Sequence, residues 1–203
     1  MDFLRRFGAV CGALCGLLIA IPGGIEAVTG ETAATSFALG LSPALAPPLL
    51  VALYLTQNHH NTLSRTGYAL NALGLGLFGG AGFTLNMALF YLDDDALADL
   101  MRGPTRVALL GSALVFVAGT SLYAVAMYRA RVFPRVAVIL YGAAFSAFAL
   151  AAPLPDTLVT NALHVTVGAT LCWLARETWP PRPADPIIAR RQVEDGEGRV
   201  AVE

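Results

Sequence analysis

Asn161 and His164 stand three residues apart in an apolar run near the end of the chain, TLVTNALHVTVGATLCWLA. On a helix that spacing puts both on one face. An imidazole takes up and releases a proton near neutral pH, and an amide inside a bilayer must find a hydrogen-bond partner. At 1.5 Å per residue the pair lies roughly 7–12 Å inside the nearer end of the run. Asn86 and Ser112, in two other apolar runs, come to a similar depth. Asn86, Ser112, Asn161 and His164 are therefore expected to line one pocket open to that side, a site for a ligand or a proton. The alternative is that they hydrogen-bond neighbouring helices and hold them in register.

Other polar clusters carry less chemistry. Gln57, Asn58, His59, His60 and Asn61 follow an apolar run. Adjacent histidines point about 100° apart on a helix, a poor metal pair, so the cluster reads as a solvated helix end. Asp93, Asp94, Asp95 and Asp99 lack the glycine and terminal glutamate of a calcium loop. They read as a charged loop that, with Glu26 and Glu31, makes one side mildly attractive to cations. Cys11, Cys15 and Cys172 lie in or beside apolar runs, without zinc spacing, and read as small packing residues. No metal and no cofactor is expected. The chain has no P-loop, HExxH or GxSxG motif and no lysine, and no basic tract that would bind nucleic acid. The general pattern resembles that of small bacterial integral membrane proteins, and the all-arginine basic complement fits a GC-rich genome.

The elements that must position these groups follow from composition. Of 203 residues, 56% are hydrophobic and 13% charged, about half the charge of a soluble domain. The apolar stretches are long enough to cross a bilayer core of about 30 Å. Six spans are expected, at 7–28, 47–63, 67–92, 107–128, 134–152 and 157–175. The first resembles a secretory signal peptide but reads as an uncleaved span, kinked or loosened at Pro22–Gly24. Residues 29–45 read as a loop with a short interfacial helix. An earlier start to the second span, near Thr35, would require kinks at Pro43 and Pro47. Residues 93–106 read as an acidic loop holding a helical turn, and 153–156 as a tight turn. The membrane domain is 1–175, and 176–203 is a polar, proline-bearing tail expected to be disordered in the cytoplasm.

Glycine placement predicts the packing. Gly8, Gly12 and Gly16 repeat every four residues, a face for helix contact with the rest of the chain, a second copy or another membrane protein. Residues 67–92 carry Gly74, Gly76, Gly79, Gly80 and Gly82 and are expected to form the central helix of the bundle, with Gly76 and Gly80 in helix packing. Arginine sets orientation. With six spans, eleven arginines fall on the side of the termini, and Arg102 and Arg106 on the other. By the positive-inside rule both termini are cytoplasmic, in a bacterial inner membrane. Trp173 and Trp179 fall near that boundary, as interfacial belt residues would.

A weak self-similarity runs through the chain. PPLLVALY (47–54) resembles PRVAVILY (134–141), Asn71-Ala72-Leu73 matches Asn161-Ala162-Leu163, and AVCGA (9–13) lies over ALLGS (108–112). Three spans per half would make this a 3+3 inverted repeat, frequent among transporters. The expected fold is all-α and polytopic. The expected role is non-enzymatic, either structural or accessory, or binding a small lipophilic molecule in the bilayer. A small transporter or channel using the polar pocket is the alternative. Third is a membrane enzyme acting on a lipid or isoprenoid with His164 as acid or base, weakened by the want of a carboxylate at its depth.

Overall fold

The computed structural model describes residues 1–57, 61–152 and 157–180. The expectations for His59 and His60, for the turn at 153–156 and for most of the tail lie outside the described residues. Those described form α-helices and short 3-10 segments without a strand. The helices are α1 (Asp2–Thr29), α2 (Ala33–Leu41), α3 (Ala46–Thr56), α4 (Thr62–Met87), α5 (Asp94–Arg102), α6 (Pro104–Ala130), α7 (Arg135–Ala151) and α8 (Leu158–Thr178).

Five apolar stretches are long enough to cross a membrane: Asp2–Thr29, Ala33–Thr56, Thr62–Tyr91, Pro104–Ala130 and Leu158–Thr178. The sixth expected span, α7, has 17 residues, or about 25 Å of helix. Large apolar side chains such as Leu73, Val107, Leu114, Ile139 and Val159 stand exposed on the outside of the bundle. Such a surface is compatible with a multi-pass membrane protein, whose solvent on that face is lipid.

Local chemistry explains the boundaries. α1 continues through Pro22 and Gly23 rather than loosening there, and stops where Gly30 takes φ +73°, a left-handed angle. Thr32 then caps α2 in a reciprocal pair with Thr35. Residues 33–41 are thus helix, and the second apolar element starts far earlier than Pro47. Pro43 is accommodated by a 3-10 segment, Ser42–Leu45, which joins α2 to α3. The element ends at Thr56, not Leu63, because Gln57 is extended and the Asn61 side chain accepts the Ser64 N–H to start α4. The acidic segment holds a nine-residue helix, α5, capped by Asp93. Asp99 pairs there with Arg102 at 2.7 Å, so two of its carboxylates are engaged locally rather than grouped around a cation.

Neighbouring long helices run antiparallel. α1 packs on α3 where Gly8 meets Pro48 and Ala52, and where Gly12 meets Leu49. It packs on α8 where Gly16 meets Gly168. The glycine face of α1 is therefore covered within the chain and is not open to a partner. α4 lies against α6 through Gly67, Gly74 and, from the α6 side, Gly119. Gly76 and Gly80 are on the other face, where an added Cβ would meet nothing within 4 Å, so they make no packing contact among the described residues. Nor is α4 central. Only 11% of its apolar window is buried, against 50% for α1.

One end of the bundle holds a buried polar network. Asn71 of α4 donates to the Tyr141 hydroxyl of α7 and accepts from Thr120 of α6 at 2.9 Å. Beside it, Gln57 donates to the Tyr123 hydroxyl at 2.8 Å and accepts from Ser64 at 2.9 Å. Gln57 is 2% exposed, so it belongs to this network and not to a solvated helix end. Arg5, Arg6, Arg65, Arg129, Arg131, Arg135 and Arg176 stand at this end, and Trp173 and Trp179 flank the last turn of α8. Arg102 and Arg106 stand at the opposite, acidic end, with Glu31, Asp93, Asp95 and Asp99.

Candidate functional site: a pocket at the acidic end

A pocket of about 420 Å³ lies between α1, the α2–α3 break, α4, α7 and α8, towards the acidic end. Most of its wall is apolar. Phe78 stacks on Phe116 at 4.8 Å and meets Phe148 edge-on at 6.2 Å, and Phe148 in turn meets the His164 ring edge-on at 4.9 Å. The three phenylalanines, with Phe145 and Val167, supply much of that apolar wall. Pro43 contributes from the 3-10 break, opposite Gly79 and Gly82 of α4. Nothing bulkier than glycine stands at those two positions, and that leaves the space open.

Of the four residues expected to converge, two line the pocket and two do not. His164 is half-buried, and its Nδ1 lies 2.9 Å from the Thr160 carbonyl oxygen. A carbonyl only accepts, so Nδ1 is the donor in this bond. Gly23 of α1 makes room for the His164 side chain here, since a Cβ at 23 would stand 2.3 Å from the His164 Cβ. Asn86 donates to the Gly82 carbonyl at 2.8 Å, bonding back into its own helix. Ser112 likewise donates to the Leu109 carbonyl, at 2.7 Å, and is not among the residues that line the pocket. Asn161 is 5% exposed, outside the lining, and its Oδ1 has no hydrogen-bond partner among the described residues.

Glu26 and Glu31 also line the pocket. Glu26 is 5% exposed, while Glu31 is exposed and accepts the Ser36 hydroxyl at 2.6 Å. The α1 helix thus brings a carboxylate into the pocket that His164 also lines. The sequence carried a signal for it. Gly12, Gly16, Ile19, Gly23 and Glu26 recur at intervals of three or four and form one buried stripe of α1. A kink or loosening at Pro22–Gly24 would break that stripe, whereas the unbroken helix to Thr29 carries it on to the buried Glu26.

Ligand pockets are commonly about 300–1,000 Å³, mostly apolar, with a few polar groups that fix orientation. This one matches that description in size and lining. Comparison of the chain with family models, with curated proteins and with solved structures finds no match to any of them.

Proposed function

We propose that this chain is a six-span membrane protein that binds a small lipophilic molecule in the pocket between α1, α4, α7 and α8. The observation that carries the reading is the pocket itself: about 420 Å³, walled by phenylalanines, with Glu26, Asn86 and His164 at the polar end. A purely structural subunit would have no use for such a space, since unfilled volume in a core costs stability.

The test fills the pocket. A Cβ at Gly82 would stand 3.8 Å from Pro43, an ordinary contact, so a larger side chain there enters the pocket without displacing backbone. Gly82→Trp in the full chain is expected to fold and to lose at least about tenfold in affinity for N-phenyl-1-naphthylamine, a neutral fluorescent probe. Equal probe binding by both proteins would overturn the reading.

In this reading α7 crosses despite its 17 residues, because a bilayer thins locally at small cost to meet a short helix. Both termini are then on the side of seven described arginines, with two on the other, and that side is cytoplasmic. A reporter fused after Glu203 is expected in the cytosol of a bacterial host, and a periplasmic signal would refute the orientation.

Transport is the second reading, favoured by the pairing of the helices. The two most extensive contacts are α1 with α8 and α4 with α6, and next come α1 with α3 and α6 with α7. A twofold axis relating α1, α3 and α4 to α6, α7 and α8 exchanges the members of each set, as a 3+3 inverted repeat requires. The interrupted α2–α3 element at the pocket is also a feature of transporter binding sites. Probe uptake into proteoliposomes, set against binding alone, separates transport from static binding.

A further inference from the structure

We infer that the pocket is selective for lipophilic cations, that is, an ammonium- or phosphonium-type charge carried on an apolar, ring-bearing body. The inference rests on the binding reading above and adds the sign of the ligand's charge. Two carboxylates line the pocket, Glu31 exposed and Glu26 buried further in, and no arginine or lysine lines it among the described residues. Of the two arginines at this end, Arg102 is bound to Asp99. The remaining wall is rich in phenyl rings, among them Phe78, Phe116 and Phe148, and aromatic rings attract cations within about 6 Å.

Charge and wall therefore act together. A cation entering from the acidic end passes Glu31 before it reaches Glu26, and each step is favourable in a medium less polar than water. An anion of the same shape meets repulsion at both. A neutral body gains only from the apolar wall. His164 lines the same pocket, with its Nδ1 donating to the Thr160 carbonyl oxygen.

The decisive probes are tetraphenylphosphonium and tetraphenylborate, which share size and shape and differ in sign, with neutral triphenylphosphine oxide as reference. Binding to the purified full chain is measured by equilibrium dialysis and corrected for detergent uptake with Gly82→Trp. Tetraphenylphosphonium is expected to bind at least about tenfold more tightly than tetraphenylborate. Glu26→Gln is expected to bring the two within about twofold, and Glu31→Gln to narrow the gap part of the way. Equal pocket-dependent binding of all three probes would overturn the charge inference and leave the lipophilic pocket standing. Pocket-dependent binding of none would remove both. Discrimination that persists in both glutamine variants would overturn the role of these carboxylates. Should Glu26→Gln fail to fold, the wild-type ratio and Glu31→Gln decide the matter.

Discussion

Gly119→Ala is expected to be among the most damaging single-methyl additions in the protein. The new Cβ would stand 2.6 Å from the Asn71 Cα, the Asn71 N and the Leu70 carbonyl carbon. All three are backbone atoms, so no rotamer change relieves the overlap, and α4 and α6 must move apart along their shared length. Overpacking of this kind costs about 1–3 kcal/mol and sometimes more, and here the upper part of the range applies. Thermal unfolding in detergent should show a Tm lower by about 10 °C at this chain length. Gly76→Ala is the matched control. It adds the same methyl to the facing helix where nothing lies within 4 Å, and it gains about 0.5–1 kcal/mol of helix propensity. Losses of similar size from the two would mean that α4 presents a different face to α6.

Asn71→Ala is expected to cost about 2 kcal/mol. Its side chain is 1% exposed and serves two other helices at once, donating to Tyr141 and accepting from Thr120. Removing it strands a buried phenol and a buried hydroxyl, at about 1–3 kcal/mol each by general experience. Interhelical hydrogen bonds in membranes average nearer 0.6 kcal/mol and reach about 1.7, so the combined estimate sits between these scales. A double-mutant cycle of Asn71→Ala with Tyr141→Phe should give a coupling of about 1 kcal/mol, since either change alone already breaks the shared bond. Additive losses would mean that the two side chains do not touch. Binding of the neutral probe should survive Asn71→Ala in the protein that remains folded, because neither Asn71 nor its partners line the pocket.

These two substitutions also show where the sequence was legible. Hydrophobic length reveals the long helices directly, because a bilayer core demands it. Which face of a helix packs is harder. α1 spaces its glycines four apart, and the contact face follows. α4 carries five glycines within nine residues, so several stripes are available. The stripe that packs is 67, 71 and 74, and Asn71 marks it: a buried amide stands where partners exist, while Gly76 and Gly80 share no face with it. The α2–α3 element was obscured because two prolines read as a boundary, whereas the 3-10 turn at Ser42–Leu45 accommodates Pro43 and lets the chain run on. Among the site residues, His164 and Asn86 stand out as polar groups in apolar runs. Glu26 does not, since its inward turn depends on α1 surviving Pro22. Ser112 and Asn161 show the limit of depth as a guide, because equal depth leaves azimuth open.

The two tryptophans both sit at the arginine-rich end of α8, 38% and 51% exposed, and the pocket lies towards the other end. In the proposed membrane reading, the native indole emission of this protein therefore reports on the polarity of a single boundary layer, and it would serve as a built-in depth gauge for one leaflet.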